Sequence, residues 1–170
     1  MSEAIARFDQ MLDWDLSRVV AAVSEGVWWV TLVDATLVRY YPGIYDTVLD
    51  GWSANKREVI GGTLAGLRFV RNQMGRHRDL AEFVHGGAGT PWIWQSVPGP
   101  ACDELSEHGQ EWELTRYQAY QHWLAGHEVT ECFTLAGGFL IQTAAVAAEL
   151  SDPAVARSEL PSRIMSLPGE

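Results

Sequence analysis

Arg71, Asn72 and His77 are the one group in this chain whose types and spacing suit catalysis. Arg68, Arg76 and Arg78 crowd around them, so four of the twelve Lys and Arg residues of an otherwise acidic protein fall within eleven positions. Such crowding repels itself unless an anion or a carboxylate answers it. Arginine stays protonated near neutrality and presents a planar fork that matches phosphate oxygens. Histidine, with an ordinary pKa of about 6.5, serves as proton donor or acceptor at the same pH. Asparagine does not titrate and only positions. Together these types suit phosphodiester cleavage in RNA. That reaction needs a group to take the 2′-hydroxyl proton, a group to protonate the leaving oxygen, and a cation for the charge growing at phosphorus. Arg71 would be the electrostatic stabiliser and His77 the proton carrier. Two symmetry-related histidines would supply both acid and base, so a homodimer is expected. Arg68, Arg76 and Arg78 would bind substrate by guiding the RNA backbone.

A helix must position them. Ile60, Leu64, Leu67, Val70 and Met74 recur at the three-and-four spacing of one buried stripe. Asn55 with Glu58 has the form of a capping box, which starts the helix near Asn55. Arg71 and His77 are expected to flank that stripe on opposite sides. Gly75 weakens the helix end by about 1 kcal/mol relative to alanine, which allows a bend.

The other elements read as helices with one long interruption. Leu16, Val19, Val20, Val23, Val27, Val30 and Leu37 mark a first helix that stops near Tyr41-Pro42-Gly43. Ile5, Phe8, Met11 and Leu12 continue the spacing ahead of it, either as a short leading helix or as part of the first. Segment 80–110, with Gly86-Gly87-Ala88-Gly89-Thr90-Pro91 and Pro98-Gly99-Pro100, reads as an irregular connection, pinned to the helices by Trp92-Ile93-Trp94. Helices follow over 111–125 and 128–150, separated by Gly126 as a left-handed stop. The expected architecture is all-α, a four- to five-helix bundle with the long loop between the second and third main helices. Residues 1–150 form one domain, and 151–170 an extended or disordered tail.

Arg71-Asn72 followed by His77 after five intervening residues resembles the signature of the HEPN domains (higher eukaryotes and prokaryotes nucleotide-binding). That signature has an arginine, a polar residue such as asparagine, aspartate or histidine, and a histidine after four to six intervening residues. The resemblance implies a four- or five-helix bundle and a metal-independent ribonuclease of toxin–antitoxin, CRISPR or antiphage type. It further implies that Arg71 and His77 of two protomers face one scissile phosphate, with Asn72 orienting one of them. A cognate antitoxin or defence-system protein would be the partner.

Composition narrows the rest. A formal charge of −10 argues against a broad nucleic-acid footprint and leaves room for one local basic site. No continuous apolar run approaches the roughly 18 residues of a membrane span, and the N-terminus carries no secretion signal, so a cytoplasmic protein away from membranes is expected. Cys102 and Cys132 are isolated and suit reduced thiols. His85, His108, His122 and His127 with Cys102 lack the paired spacing of a zinc site, so no metal or other cofactor is expected. His122 reads as a packed core histidine. Trp28, Trp29, Trp92, Trp94, Trp112 and Trp123 read as core packing, and their excess also fits a partner interface. The alternative to the ribonuclease is a non-catalytic helical interaction module. In that case Arg71 pairs with an acid at a helix seam, His77 ends a helix, and Arg68, Arg76 and Arg78 belong to a solvated face.

Overall fold

The computed structural model describes residues 16–76, 83–85, 92–96 and 107–151. The expected leading helix, His77, Arg78, Cys102, the glycine- and proline-rich parts of the loop, and the tail beyond Ser151 lie outside the described residues.

The chain is all-α in character, with four long helices, one short helix and a two-stranded hairpin among the described residues. Helix α1 spans Leu16–Tyr40. It buries Val19, Val23, Val27, Val30 and Leu37, the stripe expected from spacing, while Val20 faces outward. Thr31 sits in the same buried face, where its hydroxyl donates to the Val27 carbonyl at 2.8 Å and so avoids an unsatisfied polar group. The chain does not relax into a loop after Tyr41. Helix α2 runs Pro42–Asp50 with Pro42 in its first turn. The first helix stops ahead of Pro42 as expected, and the proline at once opens a second, because a first-turn residue needs no amide hydrogen and the proline ring presets φ. Tyr45 of α2 and Trp52 beyond it set their rings edge-on to Phe139, at 5.0 and 5.9 Å between centroids.

Helix α3 spans Ala54–Arg76. Its cap is Ser53, whose hydroxyl accepts from the Lys56 amide at 3.4 Å, two residues before the expected Asn55–Glu58 box. Ile60, Leu64, Leu67 and Val70 are buried as expected and Met74 is half-buried; Phe69 is buried as well. This is the central helix, packed on α1, α4 and α5. Its approach to α4 depends on two glycines. A Cβ on Gly62 would lie 2.1 Å from the Trp123 ring, and one on Gly66 would lie 2.6 Å from Leu124 and 3.2 Å from the Tyr120 backbone.

Helices α4, Glu107–Trp123, and α5, Val129–Ser151, close the bundle. Between them Gly126 takes φ +82°, the left-handed stop expected. The interrupted segment is not wholly irregular: β1, Phe83–His85, pairs antiparallel with β2, Trp92–Trp94. Strand β2 docks on the turn between the last two helices. The Trp94 amide donates to the His127 carbonyl at 3.1 Å, and the Gly126 amide donates to the Trp94 carbonyl at 2.8 Å. Trp94 is buried among Tyr120 and Phe133, so part of this segment is indeed pinned.

Two windows, Val19–Tyr40 and Val129–Leu150, each of 22 residues, are long and apolar enough to cross a membrane by length and composition. The expectation that no stretch reaches that length is amended accordingly. In this fold α1 and α5 pack on each other and on α3, and α1 carries a partnered buried aspartate. About a third of each window is buried in the bundle, 33 % and 39 %.

Candidate functional site

The second half of α3 carries Arg68, Arg71 and Asn72, and each meets a side chain from a different place in the bundle. Arg68 reaches Asp34 of α1. Its Nε donates to Oδ2 at 2.7 Å and a terminal N–H donates to the same oxygen. Asp34 is 0 % exposed and also accepts from the Tyr45 hydroxyl at 2.9 Å through Oδ1. A buried carboxylate needs such pairing, since an uncompensated charge in the interior is costly. Burial, together with the neighbouring Asp34 charge, pushes the Tyr45 phenol well above its ordinary range and keeps it a donor. Arg68, expected to guide substrate, thus holds α1 to α3 with two of its donors.

Arg71 lies one turn further along and meets no carboxylate among the described residues. Its Cζ sits over the Trp28 ring of α1, 4.4 Å from the centroid. Arg71 is half-buried and, at about 100° per residue, falls roughly 20° from Ile60 toward Leu64, within the apolar stripe and not at the expected border. Trp28 is 51 % exposed. Asn72 turns toward α4, where its Nδ2 donates to Glu113 Oε2 at 3.4 Å. The neighbouring Gln73 donates to Glu113 Oε1 at 3.0 Å. Glu113 is 4 % exposed, so two amides answer a carboxylate inside the α3–α4 seam. Arg76 is the last residue of α3. His77 and Arg78 follow it outside the described residues.

Three partners in this site escaped the sequence reading. Asp34 falls in register with Val23, Val27, Val30 and Leu37, and Glu113 falls in register with Tyr117, Tyr120 and Leu124. A charge at a stripe position is itself the signal that a buried partner exists. Trp28 carried no such signal, because its face depends on which side of α1 meets α3.

The aromatic band divides. Trp94 is buried and Trp92 and Trp123 are half-buried, but Trp28, Trp29 and Trp112 are exposed, which corrects the core reading for those three. Trp28 and Leu32 lie one turn apart on the outward side of α1, and both are exposed. His122 is exposed too, with its ring edge-on to Trp123 at 4.5 Å. It lies about 200° around α4 from buried Tyr120, which explains why it is not a core residue. Cys132 is a buried free thiol pushed up to about 12 by burial, with a hydrogen bond from Trp94 pulling weakly the other way. Among the described residues no three His, Cys, Asp or Glu side chains are grouped to hold a metal ion.

The arrangement therefore offers one cation with no hydrogen-bond partner among the described residues beside an amide fixed by a buried acid. No family model matches the chain, and no curated protein and no solved structure is significantly similar to it.

Proposed function

We propose that this protein is a HEPN-like, metal-independent endoribonuclease whose site combines Arg71, Asn72 and His77 of two protomers. The observation that carries the reading is the contrast between two arginines one turn apart. Arg68 answers the buried acid, whereas Arg71 meets the Trp28 ring and no carboxylate among the described residues.

In the proposed reaction, His77 of one protomer takes the proton from a ribose 2′-hydroxyl. That oxygen attacks the adjacent phosphorus, and the bond from phosphorus to the 5′-oxygen breaks. The partner histidine protonates the departing oxygen, leaving a 2′,3′-cyclic phosphate and a free 5′-hydroxyl. Arg71 stabilises the charge on the phosphoryl oxygens, Asn72 orients the group beside it, and Arg76 and Arg78 steer the RNA backbone. The protein would act in the cytoplasm as a toxin or antiphage effector, restrained by a cognate partner.

A second reading has one specific observation behind it. The exposed Trp28, Trp29 and Leu32 on α1 and Trp112 on α4 suit a non-catalytic interaction module, because large aromatic groups left at the surface often mark partner sites. The two readings separate in one assay. Purified protein incubated with mixed RNA in the presence of chelator should yield cyclic-phosphate ends, and His77→Ala should remove cleavage with the thermal midpoint unchanged. Intact RNA under all conditions, with a complex lost on mutating the α1 aromatic face, would favour the interaction module.

A further inference from the structure

We propose that Trp28 is a positioning residue for Arg71, fixing its guanidinium on α1 while leaving its N–H donors for a phosphodiester. The inference rests on the reading of Arg71 as the phosphate-binding group.

The two ways in which α3 arginines are held make the case. Arg68 is anchored through its hydrogen-bonding edge: Nε and a terminal N–H both go to Asp34, and the carboxylate neutralises the charge. Arg71 is held by an aromatic ring, its Cζ over Trp28 at 4.4 Å from the centroid, and its N–H groups meet no acceptor among the described residues. A guanidinium spreads five N–H bonds around its plane, and contact with a single ring cannot occupy them all. An aromatic ring also carries no net charge, so the cation is steadied by the quadrupole without being cancelled. An aromatic partner therefore restrains an arginine and keeps it able to take an oxyanion, which a carboxylate partner does not.

The geometry is specific to this pair. Arg71 lies 4.4 Å from its ring centroid, against 5.4 Å for Arg39 over Tyr40 and 5.5 Å for Lys56 over Trp52. Those two pairs join near neighbours in sequence, whereas Arg71 and Trp28 belong to different helices. Their separation is set by the α1–α3 packing, which the Asp34–Arg68 pair locks one turn away. Trp28 neighbours the buried Val27 on α1 yet remains half in solvent, so the ring does not sit there as core filling.

The test measures binding of a fluorescein-labelled 2′-O-methyl RNA oligonucleotide, which keeps the phosphates and cannot be cleaved, by anisotropy at fixed ionic strength. Trp28→Phe, which keeps a ring, should bind within about twofold of the wild type. Trp28→Leu, with no ring, should bind about two- to fivefold more weakly, the range expected for a partly exposed cation–π contact. Trp28→Met serves as a second ring-free variant should the leucine protein not fold. Arg71→Ala should weaken binding further, and Trp28→Leu combined with Arg71→Ala should bind no more weakly than Arg71→Ala alone. Additive losses would mean that Trp28 meets the RNA itself, and the inference would be overturned. Trp28→Leu binding like the wild type while Arg71→Ala binds weakly would overturn the inference and leave the phosphate reading of Arg71 standing. No binding by the wild type, or full binding by Arg71→Ala, would remove that reading and the inference with it.

Discussion

Replacing Arg68 and Arg71 in turn by methionine should produce opposite outcomes, although the residues lie one turn apart on the same helix. Methionine keeps the unbranched stem of each side chain and removes the guanidinium. In Arg68→Met the loss falls on Asp34, which is 0 % exposed and would keep only the Tyr45 hydroxyl as a donor. Removing one partner of a buried ion pair costs about 3–5 kcal/mol, and the lower end applies because Arg68 itself is 38 % exposed and one donor remains. With total stability of about 5–15 kcal/mol for a domain, that is a large share. In a chain of this size it corresponds to a midpoint drop of about 6–12 °C. In Arg71→Met the loss is a half-exposed cation–π contact of about 0.5–1 kcal/mol. The thioether can still lie against the Trp28 ring, so the midpoint should move by no more than about 3 °C. Thermal melts followed by far-ultraviolet circular dichroism give both midpoints in one buffer. Equal destabilisation by the two variants would refute the division into a structural and a free arginine. A wild-type midpoint for Arg68→Met would refute the buried pair.

Three further outcomes follow from the packing and the buried acids. Gly62→Ala should destabilise by about 1–3 kcal/mol through overpacking on Trp123, whereas Gly61→Ala, with nothing within 4 Å of its Cβ, should stabilise by up to about 1 kcal/mol; paired thermal melts compare them. Glu113→Ala should cost about 1–3 kcal/mol by leaving the Gln73 and Asn72 amides without their acceptor, and Glu113→Gln should recover part of it through its one carbonyl oxygen, both read by urea titration. The protein should lose stability in alkali. The Cys132 thiol is raised from 9.0 to about 12 on folding, so its contribution is full below pH 9 and declines as pH rises toward the folded value, by about 1.4 kcal/mol per unit. Tyr45 and Tyr120, both raised from 10.0 by burial, add to the decline above pH 10, and Cys132→Ala should flatten the first part of the curve in stability measured against pH.

The fold was legible wherever hydrophobic period alone decides structure. The stripes of α1, α3 and α5 follow three-and-four spacing, and Gly126 stops a helix for the reason that glycine usually does. What escaped depends on context. Pro42-Gly43 reads equally as the end of one helix or the first turn of the next, and the choice is made by the packing of Tyr45 on Phe139. Ser53 and Asn55 are both cap-forming types, and only backbone geometry selects the serine. The short strands have no period long enough to detect, and their pairing is anchored by the turn at Gly126. At the candidate site Arg71 and Asn72 were singled out by residue type, but Arg71 sits within the stripe, between Ile60 and Leu64, and not at its border. Their holders, Trp28 and Glu113, come from helices far away in sequence. Asp34 and Glu113 did leave a trace, as charged residues in register with apolar stripes. His122 and the three outward tryptophans misled because residue type stood in for direction.

RNA cleavage by chelator-treated Arg71→Ala protein, compared with the wild type at matched folded fraction, tests the central claim most directly. The wild type should cut single-stranded RNA to 2′,3′-cyclic phosphate ends. The variant should cut at least ~100-fold more slowly, the loss typical when one stabilising donor is removed from a reacting centre, while melting within about 3 °C of the wild type. A wild type that leaves RNA intact, or an Arg71→Ala protein that cleaves at the wild-type rate, would contradict the account.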